Sequence, residues 1–263
     1  RPLSRAARVR HPDRLPRART LAIAPAGAIA HGSSTARTPV GWRPIMVRPS
    51  PPPPPTLVLL VRHGQTPTTG KVLPGRSPGL HLSDKGREQA QAVALRIAAL
   101  REGNRGVAAV YASPLERTRE TAAPIAKALG LPVRRARGLL ECEFGDWTGE
   151  QLKRLAKLPE WRAVQRNPSG FRFPGGESFT EMQTRMGGAI ETIRAAHAGH
   201  AVVAVSHADP IKAAVAQAMG MHLDLFQRIV ISPCSVSAIL YTADGPVVLA
   251  VNSTGDLSTL VPS

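Results

Sequence analysis

Cysteine is nearly absent from this 263-residue chain: two residues, Cys142 and Cys234, neither in a CxxC pair nor in metal-ligand spacing. That excludes a disulfide-stapled scaffold and a cysteine metal knuckle, and it fits a reducing cytoplasm. Aromatic residues make up only 4%. No apolar run reaches the roughly 18 residues that a membrane-spanning helix needs. The stretch 20–30 (TLAIAPAGAIA) follows arginines but is interrupted by Pro25 and Gly27, which argues against an export signal. Acids are scarce as well, 18 against 34 Lys and Arg, and the imbalance is uneven. Residues 1–55 hold ten arginines, no lysine and a single acid, Asp13, a surplus of nine out of the formal +16. The other 208 residues carry 24 basic and 17 acidic side chains, only +7. High overall basicity therefore belongs to the front segment, and no nucleic-acid partner is expected for the folded part.

The front segment also holds 12 of the 25 prolines, ending in Pro51 to Pro55, and shows no helical or strand periodicity. Such text cannot bury enough apolar surface to offset its ordering entropy. The expectation is a disordered Arg/Pro-rich tail over 1–55. Met46 is the first methionine, and Arg/Pro/Ala-rich text is what GC-rich DNA gives when read as codons, so the start of translation is expected at or near Met46.

From Thr56 the pattern changes. The run 57–61 (LVLLV) reads as a strand buried on both faces, as do 108–112 and 201–205 (AVVAV). Ser83 opens a helix to about Ala99 with apolar residues at helical spacing. Ser113-Pro114-Leu115-Glu116 reads as a capping box opening a helix that stops at Gly130, and Ser178-Phe179-Thr180-Glu181 as a second one. Asp209-Pro210 reads as the cap of a helix ending near Gly220; 236–242 and 247–251 read as closing strands. Alternating strands and helices predict an α/β three-layer sandwich over 56–263, with a largely parallel central sheet and helices on both faces.

Three segments share one design. Arg62-His63 follows the first strand, Ser206-His207 follows the strand 201–205, and Arg117 lies one turn inside the helix after the strand 108–112. Ligands of open α/β sheets bind at the carboxyl ends of strands, where helix N-termini favour anions. Two histidines and two arginines far apart in sequence are thus expected to meet at one phosphate.

Six ordered blocks carry a family resemblance: Val61-Arg62-His63-Gly64-Gln65-Thr66; Leu82-Ser83-Asp84-Lys85-Gly86-Arg87-Glu88-Gln89-Ala90; Ser113-Pro114-Leu115-Glu116-Arg117-Thr118-Arg119-Glu120-Thr121-Ala122; Glu141 through Gly149; Pro174-Gly175-Gly176-Glu177-Ser178; and Val205-Ser206-His207-Ala208-Asp209. In this order they resemble the histidine phosphatase superfamily, the phosphoglycerate-mutase-like group. The pattern most resembles actinobacterial members described as probable phosphomutases or phosphatases. The resemblance implies a catalytic domain over 56–263, with His63 as nucleophile and a phosphohistidine intermediate. Arg62, Arg117 and His207 would hold the phosphoryl oxygens, His207 being counted among the catalytic groups. Glu141 would be the general acid, with Glu143 as the competing assignment. Many relatives place an asparagine shortly after the RHG triplet; here Pro67-Thr68-Thr69-Gly70 stands instead, and Thr69 or Thr68 is the candidate donor. No metal and no cofactor is implied. The expected partner is a small phosphorylated metabolite, without a membrane, for a monomer or homodimer. The reading is a phosphatase, with a phosphomutase as alternative and a silent phosphate-binding module as a third. Residues 143–174 are expected to overhang the pocket. Their basic residues either face solvent or, if they face the pocket, imply a substrate with more than one anion.

Overall fold

The computed structural model describes residues 52–100, 106–255 and 257; most of the predicted tail, and Met46 with it, lies outside the described residues. Six strands form one sheet among those residues: β1 (Thr56–Arg62), β2 (Val107–Ala112), β3 (Val133–Arg135), β4 (Ala201–Ser206), β5 (Val236–Thr242) and β6 (Gly245–Ser253). Their order is β3-β2-β4-β1-β5-β6. The first four run parallel, while β5 pairs antiparallel with both β1 and β6. The largely parallel sheet is thus observed, with an antiparallel margin.

Strand periodicity builds the layers, because successive side chains point to opposite faces. Leu57, Leu59 and Val61 of β1, with Val203 and Val205 of β4, pack under α1 (Asp84–Ala99) and α2 (Glu116–Leu129). Val58 and Leu60, with Val202 and Ala204, face the other side. There lie α3 (Leu152–Leu155), α4 (Trp161–Arg166), α5 (Phe179–Ala196) and α6 (Ala208–Ala218). Because α1 leaves β1 on one face and α6 leaves the adjacent β4 on the other, a crevice opens at the carboxyl ends of these two strands.

Local signals mostly act as expected. Ser83 caps α1 by accepting from Gly86 N, Gly130 ends α2 in the left-handed conformation, and Ser178 with Glu181 forms a complete capping box. Two expectations are corrected. Helix α2 starts at Glu116 with Leu115 as its cap residue and no side-chain cap, because the Ser113 hydroxyl is taken by His207. Helix α6 starts at Ala208, capped by the backbone at His207; Asp209 lies inside the first turn and pairs with Lys212. The three-residue β3 was not expected at all.

Candidate active site

Register sets the site. Val61 and Arg62 of β1 stand opposite Val205 and Ser206 of β4, and Ala112 of β2 stands opposite Val205. The pairing continues one residue past the strands: His63 N donates to Ser206 O at 3.0 Å and Ser113 N to Val205 O at 3.0 Å. His63, His207 and Ser113 therefore emerge side by side. The two imidazoles meet edge to face, with ring centroids 5.2 Å apart.

The loop after β1 is held by groups from two helices. Gly64 N donates to Thr121 Oγ1 at 3.0 Å, Gln65 N to Gln89 Oε1 at 2.9 Å, and Gln65 O accepts from Ser83 N at 2.9 Å. The loop lies so close to the start of α1 that a Cβ on Gly64 would sit 2.5 Å from Gly86 O, and one on Gly86 would sit 2.0 Å from Gln65 O. Both positions need glycine for the close approach.

His63 is buried, and its Nδ1 lies 2.7 Å from Gly64 O. A carbonyl only accepts, so Nδ1 carries the proton and Nε2 keeps its lone pair. Burial, then the charges of Arg117 and Arg62, hold the His63 pKa well below the usual histidine value, which keeps the ring neutral. Arg62 Nη1 donates to Ile231 O at 2.6 Å and Arg117 Nη2 to Gly75 O at 2.7 Å. These bonds orient the guanidinium groups without consuming them: Arg62 Nε, Arg117 Nε and Nη1, and His207 Nδ1 are buried with no protein partner. Buried polar groups are nearly always paired, so four such atoms around one histidine mark a place for an anion.

Glu141 follows a 3₁₀ turn at Arg137–Leu139 and is buried, with Oε2 at 4.0 Å from His207 Nδ1. Its pKa is pushed up to about 7, first by burial and then by the Asp209 charge, against Arg117, the Cys142 N–H and Arg62. Its backbone is clamped as well. Glu141 O accepts from Arg76 Nε at 2.8 Å and from Arg185 Nη2 at 3.2 Å, and the Glu177 carboxylate ties both arginines together. Glu143, the competing acid, pairs with Arg76 at 3.3 Å and does not line the cavity.

The cavity beside His63 measures about 430 Å³. Arg62, His63, Thr66, Thr69 and Glu141 are among the residues that line it. Arg117 and His207 are fully buried behind this wall. Thr69 Oγ1 accepts from Thr66 N at 2.9 Å and lies 3.0 Å from Thr66 Oγ1, so the residue in the asparagine's place is on the wall and braces its own turn. The segment 143–174 adds Phe144, Leu152, Trp161, Val164 and Phe173 to the wall and carries α3 and α4, interrupted near its glycines and prolines. A chain of rings anchors it: Trp161 stacks on Trp147, and Trp147, Phe173, Phe179 and Phe226 follow edge to face. Lys153, Arg154, Lys157, Arg162, Arg166 and Arg172 are exposed and form none of the cavity wall, which settles the direction of the basic side toward solvent.

Residues 58–254 match the model of the histidine phosphatase superfamily (branch 1). The chain belongs to the histidine phosphatase superfamily. It is 31% identical over 202 residues to phosphoserine phosphatase 1 of Hydrogenobacter thermophilus, covering 75% of this chain and 92% of that one. It is 32% identical over 187 residues to a probable phosphoglycerate mutase of Yersinia pestis, covering 70% and 84%. The solved structure of a mycobacterial glucosyl-3-phosphoglycerate phosphatase superposes with a TM-score of 0.67 over 76% of this chain and all of that one, at 23% identity, and so shares the fold. A phosphohistidine intermediate is a general property of the superfamily, and this member is a phosphatase or mutase enzyme. No helix among the described residues is long and apolar enough to cross a membrane.

The sequence reading brought Arg62, His63, Arg117, Glu141 and His207 to this place, and the geometry gathers all five. It missed the groups that hold them: Ser113, Gln89, Thr121, Arg76 and Arg185. Gln89 and Thr121 lay inside quoted motifs, which was the available signal; Arg76 lay in none.

Proposed function

We propose that this enzyme is a phosphatase that hydrolyses small phosphate monoesters through a phosphohistidine on His63. The carrying observation is the set of unpartnered buried donors on Arg62, Arg117 and His207 around a neutral His63 whose Nε2 is free. In the first step Nε2 forms a bond to phosphorus and the ester P–O bond breaks. The proton on Glu141 goes to the leaving alkoxide, which departs as the alcohol. In the second step a water oxygen bonds to phosphorus, the N–P bond breaks, and the Glu141 carboxylate takes the water proton. Arg62, Arg117 and His207 hold the phosphoryl oxygens throughout, with a Thr69 hydroxyl at the rim. Positioning and charge are most of what phosphoryl transfer asks of a protein. Addition of a chelator is expected to leave the rate unchanged, since the proposed donors are arginine and histidine. The two cysteines, both buried and unpaired, accord with a reducing cytoplasm.

The mutase reading keeps support from the similarity to the Yersinia protein. A mutase must keep water from its phosphohistidine between two transfers. The cover here has α-helices of only four and six residues, and its cations are exposed and do not line the cavity. Both features favour water as acceptor. Phosphorus NMR during incubation with 3-phosphoglycerate and sugar phosphates tests the choice: inorganic phosphate is the expected product, and dominant migration of the phosphoryl group with only traces of release overturns it.

A further inference from the structure

Beside the phosphoryl groups the same cavity wall carries an ion pair that makes no proposed contact with the transferred phosphate, although the Asp209 charge also acts on Glu141. Lys212 lies on α6 one turn after Asp209, which itself follows His207 by two residues. Its ammonium is 3.1 Å from Asp209 Oδ1 and 2.9 Å from Gln227 Oε1. Both charged side chains line the cavity and are largely buried, 16% and 18% exposed. An ammonium has three N–H donors and a carboxylate several acceptor sites, so each keeps capacity for a ligand. Much of the remaining wall is apolar, including Trp161, Val164 and Ile229.

Charge decides what fits. A bound phosphate monoester carries close to two negative charges at neutral pH (about −1.5 to −2), and Arg62 with Arg117 balances them. Lys212 is the other cation on the wall, and Asp209 already balances it. The six basic residues of the cover face solvent. Among the described residues that line the cavity a second anion on the alcohol part would find no uncommitted cation, and it would lie beside Asp209, a costly placement away from bulk water.

We propose that the site selects phosphate monoesters whose alcohol part has no net charge and offers a donor and an acceptor, and that Lys212 and Asp209 determine this specificity. Vicinal hydroxyls or an ammonium–carboxylate pair supply that chemistry beside an apolar edge; a lone carboxylate does not. The inference rests on the His63 end being the phosphoryl site.

Binding to the His63→Ala variant separates this charge rule from turnover. Calorimetric titration with O-phosphoserine (zwitterionic), glycerol 1-phosphate (uncharged diol) and 3-phosphoglycerate (extra anion) is expected to show at least one of the first two binding about tenfold or more tighter than the third. Tight binding of O-phosphoserine alone assigns the zwitterion, of glycerol 1-phosphate alone the diol, and of both the shared chemistry. Asp209→Asn in the same background is expected to tighten 3-phosphoglycerate several-fold and narrow the gap. Equal or preferred binding of 3-phosphoglycerate, or a gap that Asp209→Asn leaves untouched, overturns the proposal. Wild-type kcat/KM values on the three esters should follow the same order, which keeps the test valid if the variant fails to fold. Phosphate release from p-nitrophenyl phosphate reads the phosphatase assignment separately: the binding order without release sinks that assignment alone, and release with the reversed order sinks the charge rule alone.

Discussion

Ser113 Oγ lies 2.9 Å from Nε2 of His207, and both residues are fully buried. The contact fixes the imidazole so that Nδ1 turns toward Glu141, at 4.0 Å, and is left without a protein partner. A serine whose position suggests a helix cap thus orients, one strand away, the histidine proposed to hold the phosphate.

Ser113→Ala should therefore lower kcat by roughly ten- to hundredfold, the equivalent of about 1–3 kcal/mol for one unsatisfied buried group. Ser113→Thr keeps the hydroxyl and should recover most of the loss. Steady-state kinetics on both variants checks this; equal defects in the two would assign Ser113 a packing role only.

The alkaline limb of the rate should sit near the Glu141 pKa of about 7. The groups that face this carboxyl are Arg62 from β1, Arg117 from α2, His207 and Asp209 from the β4–α6 junction, and the neighbouring Cys142 N–H. Its pKa is raised, so the acid form predominates below about 7 and is lost above it. Rates limited by leaving-group protonation should fall as pH rises through that value. Glu141→Gln should remove the limb and lower kcat by about 10²–10⁴-fold on alkyl phosphates, with a smaller effect on the first step for p-nitrophenyl phosphate. Asp209→Asn withdraws a charge that raises the pKa and should move the limb to lower pH. A pH profile of kcat/KM for the three proteins reads this directly, and an unmoved limb in Asp209→Asn would show that burial alone sets it.

Gly86→Ala should damage catalysis more than its distance from the chemistry suggests. The new methyl would stand 2.0 Å from Gln65 O, so the loop bearing His63 must shift. Displacements of about 1 Å at a reacting group cost about 10²-fold. The variant should melt lower and turn over about a hundredfold more slowly. Full activity with a lowered melting temperature would mean that α1, and not the loop, yields.

Much of this arrangement is legible in the chain. The strands β1 and β4 are read from unbroken apolar runs because both their faces are buried. Helices α1 and α5 are read from serine caps that do cap. Arg62, His63, Arg117 and His207 are read because each adjoins a strand end or a helix start. Legibility stops where a residue's partner is remote. The pattern S-x-x-E looks alike whether the serine caps a helix or, like Ser113, reaches a histidine 94 positions away. Strand β3 is Val-Arg-Arg at a sheet edge, too short and polar to carry alternation. Arg76 serves Glu141 and Glu177 across separations of 65 and 101 residues, and no local pattern announces it.

Quenched-flow phosphopeptide mapping tests the central chemistry most directly. A labelled phosphate monoester is mixed with enzyme and quenched in base within the first turnover, and the labelled peptide is sequenced. The expected result is an acid-labile, base-stable phosphoryl group on the peptide bearing His63, appearing as the alcohol is released and decaying as inorganic phosphate forms, with no label and no turnover in His63→Ala. Label on a different residue, or steady phosphate release from the His63→Ala protein, would contradict it.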